Sequence, residues 1–166
     1  KQQKLPKDIR WHFIGHLQSN KVRQIVPFVQ LIQSVDSLKL LKEINKQAEK
    51  ADKVIECLLE VHIAEEETKF GLDEKELGEL FNTIHNELHE WRNINIIGLM
   101  GMASLTDDMS KVRNEFKKLN SIYNHFKTDD SRLRTISMGM TADYRIAIEE
   151  GSNMVRIGSM IFGERN

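Results

Sequence analysis

Short apolar segments alternate with amphipathic segments along almost the whole chain. The apolar segments are rich in Ile and Val, and several lack any alternation of apolar and polar residues, which is typical of strands buried on both faces of a parallel sheet. We predict six strands, at residues 10–15, 31–35, 54–63, 94–98, 135–140 and 154–157.

Between these segments, apolar residues recur at the spacing of a helix face, three or four residues apart. The three longest faces comprise Leu38, Leu41, Ile44 and Ala48; then Leu77, Leu80, Phe81, Ile84 and Leu88; then Val112, Phe116, Leu119, Ile122 and Phe126. Asp36 and Ser37 are candidate caps of the first helix, and Asp73 with Glu76 resembles a capping box for the second. Shorter helices are predicted at 20–26 and at 143–150, the latter ending at Gly151.

The alternation of strand and helix predicts an α/β domain with a parallel sheet, closed either as a barrel or as an open doubly wound sheet. No Gly-x-Gly-x-x-Gly turn follows the first strand, which argues against a dinucleotide-binding fold. Glycines at the ends of the last two strands favour a barrel. Six strands are two short of eight, however, and a complete barrel needs roughly 200 to 250 residues. The chain therefore has another fold or is a piece of a longer one.

Composition narrows the class of protein. The 166 residues suffice for a single domain, and 40% apolar with 30% charged residues is ordinary for a globular protein. Acidic and basic residues are interspersed with a net charge of −1, which argues against a nucleic-acid partner. No apolar stretch approaches the roughly 20 residues of a membrane helix, and no signal peptide is visible. A single cysteine, Cys57, fits a reducing compartment.

The strongest candidate for chemistry is Arg156, because an arginine in an apolar strand is costly unless an anionic or hydrogen-bonding group meets it. The alternative is a structural ion pair inside the domain. Two histidines, His85 and His89, are spaced as on one helix face but lack a third metal ligand nearby, so we predict a solvated face and no metal site. Asn153, just before the last strand, is expected to have little consequence.

Several motifs resemble those of the pyridoxal phosphate homeostasis proteins, the YggS/PROSC family. They are WHFIGHLQSNK at 11–21, QSVD at 33–36, TK at 68–69, GLM at 98–100, SMGM at 137–140, VRIG at 155–158 and IFG at 161–163 with Arg165. The resemblance covers the chain from residue 10 onward, in matching order and spacing.

The resemblance implies a (β/α)8 barrel like the N-terminal domain of alanine racemase, here truncated to strands 3–8 of one domain at 1–166. It also implies a cytoplasmic protein that binds pyridoxal 5′-phosphate without catalytic turnover and takes part in cofactor and amino-acid homeostasis. Family members are monomers that carry the Schiff-base lysine on their first strand, which has no counterpart here. A chain with open barrel edges could instead associate with another chain.

The resemblance also implies roles for particular residues. Arg156 would face the pyridine nitrogen, and His12 would line the ring pocket unless it is simply a core histidine. The phosphate would be held by Gly158, Ser159, Ser137, Met140 and Thr141. Turn formation and helix capping are the alternatives for Ser137 and Thr141. Lys21 and Lys69 belong to family motifs, but loop lysines are usually solvated.

A different class of function stays open beside the carrier. The chain could be a fragment of a racemase-like or decarboxylase-like enzyme that uses the same cofactor. Alanine racemase has a tyrosine base and a second domain, whereas Tyr123 and Tyr144 lie in helical patterns here. A third possibility is a structural fragment that completes its sheet with another chain.

Overall fold

A computed structural model describes residues 2–64 and 70–163, and within them six strands form one parallel sheet. The strands are β1 (Trp11–Phe13), β2 (Val29–Val35), β3 (Ile55–Val61), β4 (Ile94–Gly101), β5 (Thr135–Met140) and β6 (Met154–Arg156). Their order across the sheet is their order along the chain, and every neighbouring pair is parallel. The predicted α/β class with a parallel sheet is confirmed.

Helices connect successive strands. They are α1 (Val22–Ile25), α2 (Leu38–Lys50), α3 (Glu74–Asn86), α4 (Met109–Asp129), α5 (Tyr144–Glu149) and α6 (Ser159–Phe162). Three short 3-10 segments occur at Gln2–Lys4, Ser19–Lys21 and Leu88–Glu90. None of the helices within the described ranges is long and apolar enough to cross a membrane.

The central strands β2 to β5 are buried on both faces, as their apolar sequences predicted. The outer face of the sheet packs against the helices in one large core that includes Ile32, Cys57 and Leu99 together with Leu41 and Phe116. Its inner face carries a smaller apolar cluster made of Leu31, Leu58, Ile97 and Met100. The inner cluster supports the side chains that form the candidate site.

Capping groups set the helix boundaries largely where the sequence predicted them. The Ser37 side chain accepts a hydrogen bond from the Leu40 amide at 3.3 Å at the start of α2. The capping box of α3 is confirmed, because the Glu76 amide donates to Asp73 at 2.7 Å and the Asp73 amide to Glu76 at 3.0 Å. Gly151, at φ +99°, follows α5 in the left-handed backbone region that favours glycine.

Several predicted boundaries differ from the structure, among them the end of α3 and the end of β4. Leu88 was expected on the α3 face, but α3 ends at Asn86 and the Leu88 side chain is 56% exposed in the following 3-10 turn. The fourth strand does not end at Gly98 but continues to Gly101. A glycine is needed within this strand because a Cβ at position 98 would lie 1.7 Å from the Thr135 carbonyl oxygen.

The Asn153 side chain joins the start of β5 to the start of β6. Its Oδ1 accepts from the Ile136 amide at 2.9 Å, and its Nδ2 donates to the Arg134 carbonyl at 2.8 Å. Such a residue substitutes for ladder hydrogen bonds at the beginning of a three-residue strand. Asn153 lies at the strand start, away from the candidate site, and its hydrogen bonds give it a structural role.

Candidate functional site

The inner face of the sheet changes from apolar to polar along the strand direction. On three strands an apolar residue is followed two positions later, on the same face, by a polar one: Leu31 by Gln33, Leu58 by Glu60 and Met154 by Arg156. The polar side chains are buried, with exposures of 2% for Gln33, 3% for Glu60 and 8% for Arg156. Buried polar groups must find partners, so their contacts define what the site can do.

Arg156 is fixed by hydrogen bonds to two neighbouring strands. Its Nη1 donates to the Ser137 carbonyl at 2.9 Å and to the Ser137 hydroxyl at 2.8 Å, and its Nη2 donates to the Gly101 carbonyl at 3.0 Å. The Arg156 Nε is buried and has no hydrogen-bond partner among the described residues. Burial lowers the pKa of Arg156 to about 10, opposed by Asp143 and Glu60, so the guanidinium stays charged at neutral pH.

A chain of hydrogen bonds leads from Arg156 to the edge strand β1. The Ser137 hydroxyl donates to Gln33 Oε1 at 2.8 Å, and Gln33 Nε2 lies 3.3 Å from His12 Nδ1 and 3.4 Å from the Met154 sulfur. Burial, with a smaller effect from Arg10, lowers the pKa of His12. The lowered pKa favours the neutral form of the His12 ring.

Glu60 is the buried acid of the inner face. Burial and, to a lesser degree, the Asp36 carboxylate raise the pKa of Glu60 to about 7, while Arg156 acts in the opposite direction. Asp36 itself lies 3.2 Å from His16 Nδ1. The inner face therefore carries one permanent cation, Arg156, and one acid, Glu60, whose pKa is about 7.

A second group of predicted residues lies at the ends of β5 and β6. The Gly158 amide donates to the Thr141 hydroxyl at 3.4 Å, and both Gly158 and Ser159 are exposed. The Met140 amide donates to Asp143 Oδ1 at 2.6 Å. The turn that brings these loops together requires Gly139, at φ +95°, since a Cβ there would lie 2.5 Å from the Ala147 Cβ.

The structure divides the predicted residues into these two groups. The hydrogen-bond chain joins the buried Arg156 and Ser137 to His12, which is exposed on β1, whereas Met140, Thr141, Gly158 and Ser159 lie at the strand ends. Ser137 was expected in the phosphate cup, but it is fully buried within β5 and its hydroxyl contacts Arg156 and Gln33. Its side chain points to the buried inner face three residues before the end of the strand, where Arg156 and Gln33 meet it.

Lys21 ends an exposed 3-10 turn, and Lys69 lies outside the described residues. Among the residues described, no three His, Cys, Asp or Glu side chains are arranged to hold a metal ion.

Sequence analysis missed Gln33 and Glu60 as site residues. Both interrupt otherwise apolar strands, in LIQSV and CLLEV, which is the same signal that singled out Arg156. The pattern of an apolar residue followed two positions later by a polar one, repeated on three strands, would have identified all three.

Residues 3–166 match the family model of the alanine racemase N-terminal domain. A pyridoxal phosphate homeostasis protein from Aquifex aeolicus is 40% identical over 159 residues, covering 95% of this chain and 68% of that protein. The human protein of the same name is 35% identical over 170 residues, covering 96% of this chain and 60% of its own length.

The chain belongs to the pyridoxal phosphate homeostasis protein family. Membership of this family explains why the matching motifs occur along almost the whole chain. The chain spans about two thirds of the length of the Aquifex relative, at 68%, and less of the human one, at 60%.

Solved structures agree with this family assignment. PipY of Synechococcus elongatus, solved with PLP bound, is 29% identical with a TM-score of 0.82, covering 98% of this chain and 74% of that one. A protein of unknown function from Bifidobacterium adolescentis is 35% identical with a TM-score of 0.85, and the match covers 93% of this chain and 61% of that chain. A diaminopimelate decarboxylase from M. jannaschii, at 15% identity and a TM-score of 0.67, shares the fold alone. The alanine racemase fold favours the barrel-type sheet over the doubly wound alternative.

Proposed function

We propose that this chain binds pyridoxal 5′-phosphate and acts in cofactor and amino-acid homeostasis as a carrier without catalytic turnover. The observation that carries the proposal is the Arg156 Nε, a buried donor with no partner among the described residues. An unsatisfied buried donor is rare in native proteins and calls for an acceptor. The names of the relatives and the PLP-bound PipY support this choice of ligand.

The inner face fits the ring of this cofactor. The pyridine nitrogen is an acceptor, which the Arg156 Nε–H would satisfy. Leu31, Leu58 and Met100, which are almost fully buried, form the apolar cluster of the same face. A guanidinium, unlike a carboxylate, leaves the pyridine nitrogen unprotonated, so the ring is a weaker electron sink. That electronic state suits a carrier better than an enzyme that stabilises carbanions.

The strand ends fit a phosphate group only in part. Thr141, Gly158 and Ser159 offer a hydroxyl and backbone amides on an exposed surface, and glycine permits close approach of an anion. Asp143 already accepts the Met140 amide, and its negative charge would oppose a phosphate there. We therefore propose Thr141, Gly158 and Ser159 as the phosphate ligands and leave Met140 out.

The positions of the two tyrosines, Tyr123 and Tyr144, argue against the enzyme alternative. The Tyr123 hydroxyl is buried in the helical layer and donates to the Leu133 carbonyl at 3.3 Å, and Tyr144 begins α5 and accepts from Arg145 at 3.3 Å. Neither hydroxyl belongs to the hydrogen-bond chain of the inner face. The enzymes with this fold are too distant in sequence to indicate an activity.

We also propose that β1–β6 correspond to strands 3–8 of an eight-stranded barrel and that residues 1–166 belong to one domain. In the described part of the chain, β1 and β6 each pair with a single neighbour. The covered share of the relatives supports this assignment. A cytoplasmic location is part of the same proposal.

Equilibrium dialysis of the purified protein against pyridoxal phosphate tests the proposed function. We expect saturable binding that approaches one cofactor per chain and no conversion of D- or L-amino acids by the loaded protein. Pyridoxal, which lacks only the phosphate, serves as the matched ligand and should bind more weakly. An absence of saturable binding would contradict the proposal, and turnover of an amino acid would favour the enzyme alternative.

A further inference from the structure

Gln33 occupies the middle of the inner-face hydrogen-bond chain and is 2% exposed. It joins two residues that are far apart in sequence, since its amide oxygen accepts from Ser137 and its amide nitrogen lies 3.3 Å from His12 Nδ1. Neither the family resemblance nor the sequence pattern assigned it a role.

The hydrogen bonds of this chain have only one consistent direction. The Arg156 guanidinium can only donate, so the Ser137 hydroxyl accepts from it at 2.8 Å and uses its own proton toward Gln33 Oε1. With its oxygen facing Ser137, Gln33 presents its NH2 group to His12. His12 Nδ1 must then accept, which places the single proton of the neutral imidazole on Nε2.

The opposite orientation of the Gln33 amide is less favourable for two reasons. It would turn the carbonyl oxygen toward the Met154 sulfur, which now lies 3.4 Å from the NH2 group. It would also deprive the Ser137 proton of its acceptor, because the described partners of that hydroxyl are Arg156 and Gln33 alone. A buried hydroxyl without an acceptor is costly.

We propose that Gln33 is a positioning residue of the cofactor site, which transmits the donor character of Arg156 through Ser137 and presents His12 to the ligand as a neutral Nε2–H donor. The inference rests on the proposed function for the identity of the ligand. The two donors of the site, Arg156 Nε–H and His12 Nε2–H, would suit a heteroaromatic ring that carries acceptors at two positions.

The charged surroundings of His12 are consistent with a neutral ring. Arg10 on the segment preceding β1 disfavours the imidazolium, and Glu56 on β3 favours it. Glu56 is itself engaged by Arg134. Burial is the largest influence and also disfavours the charged ring.

The first test measures the tautomer and the pKa of His12 by long-range nitrogen NMR in the intact protein without cofactor. We expect the Nε2–H tautomer in the wild type. His16 is an internal reference of the opposite kind, because its Nδ1 lies 3.2 Å from Asp36 Oδ2 and must carry a proton to bond it. An Nδ1–H tautomer at His12 would overturn the proposal.

Gln33→Glu reverses the last hydrogen bond, since a carboxylate can only accept. His12 should then carry a proton on Nδ1, and its pKa should rise above that in the wild type. Gln30→Glu makes the same charge change at an exposed position of the same strand and should leave His12 unaffected. Equal His12 tautomers and pKa values in both variants would overturn the proposal.

Gln33→Met keeps the size of the side chain but removes its hydrogen bonds. This variant tests the role of Gln33 if Gln33→Glu does not fold. We expect a mixture of His12 tautomers and a loss of pyridoxal phosphate affinity of about three- to tenfold, the effect of one or two hydrogen bonds. An unchanged tautomer would contradict the relay. A correct tautomer with no cofactor binding in any variant would refute the proposed function alone.

Discussion

At the scale of single residues, Arg156 decides what the inner face can bind. An unsatisfied buried donor costs about 1–3 kcal/mol, and the guanidinium also loses hydration, which lowers its pKa to about 10. A ligand acceptor at Nε would recover part of that cost. The free energy that the protein loses by burying this group is therefore available for binding.

Glu60 should make stability depend on pH. Its pKa is about 7 in the folded protein against 4.5 for the free side chain, so the folded state holds more protons between these values. The free energy of unfolding should then fall as pH rises from about 4.5 to 7. Glu60→Gln removes the titration and should be more stable than the wild type by roughly 3 kcal/mol at pH 8.

Urea unfolding of both proteins at pH 5 and pH 8 measures this difference. The advantage of Glu60→Gln should be small at pH 5 and large at pH 8. Glu79→Gln, at an exposed position of α3 with its side chain 67% exposed, is the control and should show no such dependence. A constant difference between Glu60→Gln and wild type at both pH values would show that Glu60 is ionised throughout.

At the scale of elements, the sequence predicted most of the architecture because its signals are local. The capping box of Asp73 and Glu76 and the Ser37 cap depend on neighbours three residues away, and both are confirmed. The exposed Leu88 and the long β4 were missed because they depend on contacts with other elements. Gly98 resembles a strand end in sequence and is required instead by the close approach of Thr135.

The same distinction between local signals and contacts across elements applies to the candidate site. Arg156 could be recognised from its own strand, but Gln33, to which it is linked through the Ser137 hydroxyl, lies 123 positions away in the sequence. Hydrogen-bond direction and the exclusion of water from Glu60 are properties of the assembled inner face. They cannot be predicted from the spacing of residues along one strand.

Gly139 should be essential for the loop between β5 and α5. An alanine there would hold φ near +95° and place its Cβ 2.5 Å from the Ala147 Cβ. We expect Gly139→Ala to lower the free energy of unfolding by about 2 kcal/mol or more, as strain and overpacking add.

Gly15→Ala is the matched control, because a Cβ at position 15 meets no atom within 4 Å. Its midpoint in urea should stay within the experimental spread of the wild type. A Gly139→Ala protein as stable as Gly15→Ala would show that the turn has an alternative conformation without a left-handed residue.

At the scale of the whole molecule, the two sheet edges govern association. Unpaired strand edges promote pairing with other chains. If β1–β6 are strands 3–8 of a barrel, the 166 residues measured alone should sediment above the monomer mass of 19.3 kDa in a concentration-dependent way. Sedimentation equilibrium at several concentrations measures this, and a monomer throughout with a cooperative melt would contradict the assignment.

The family itself was recognisable from sequence because its motifs occur at strand ends throughout the chain, from 11–21 to 161–163. Hydrophobic patterning alone left the barrel and the doubly wound sheet open, since both bury parallel strands between helices. The match to the alanine racemase N-terminal domain distinguishes the two folds.

The most direct test of the account is the affinity of Arg156→Gln for pyridoxal phosphate in equilibrium dialysis. Arg113→Gln, which removes a guanidinium paired with Glu149 and Glu150 on the outer helices, is the matched control. We predict at least about tenfold weaker binding for Arg156→Gln, as for loss of a charged hydrogen bond, and wild-type affinity for the control. Equal affinity of all three proteins would contradict a cofactor site built around Arg156.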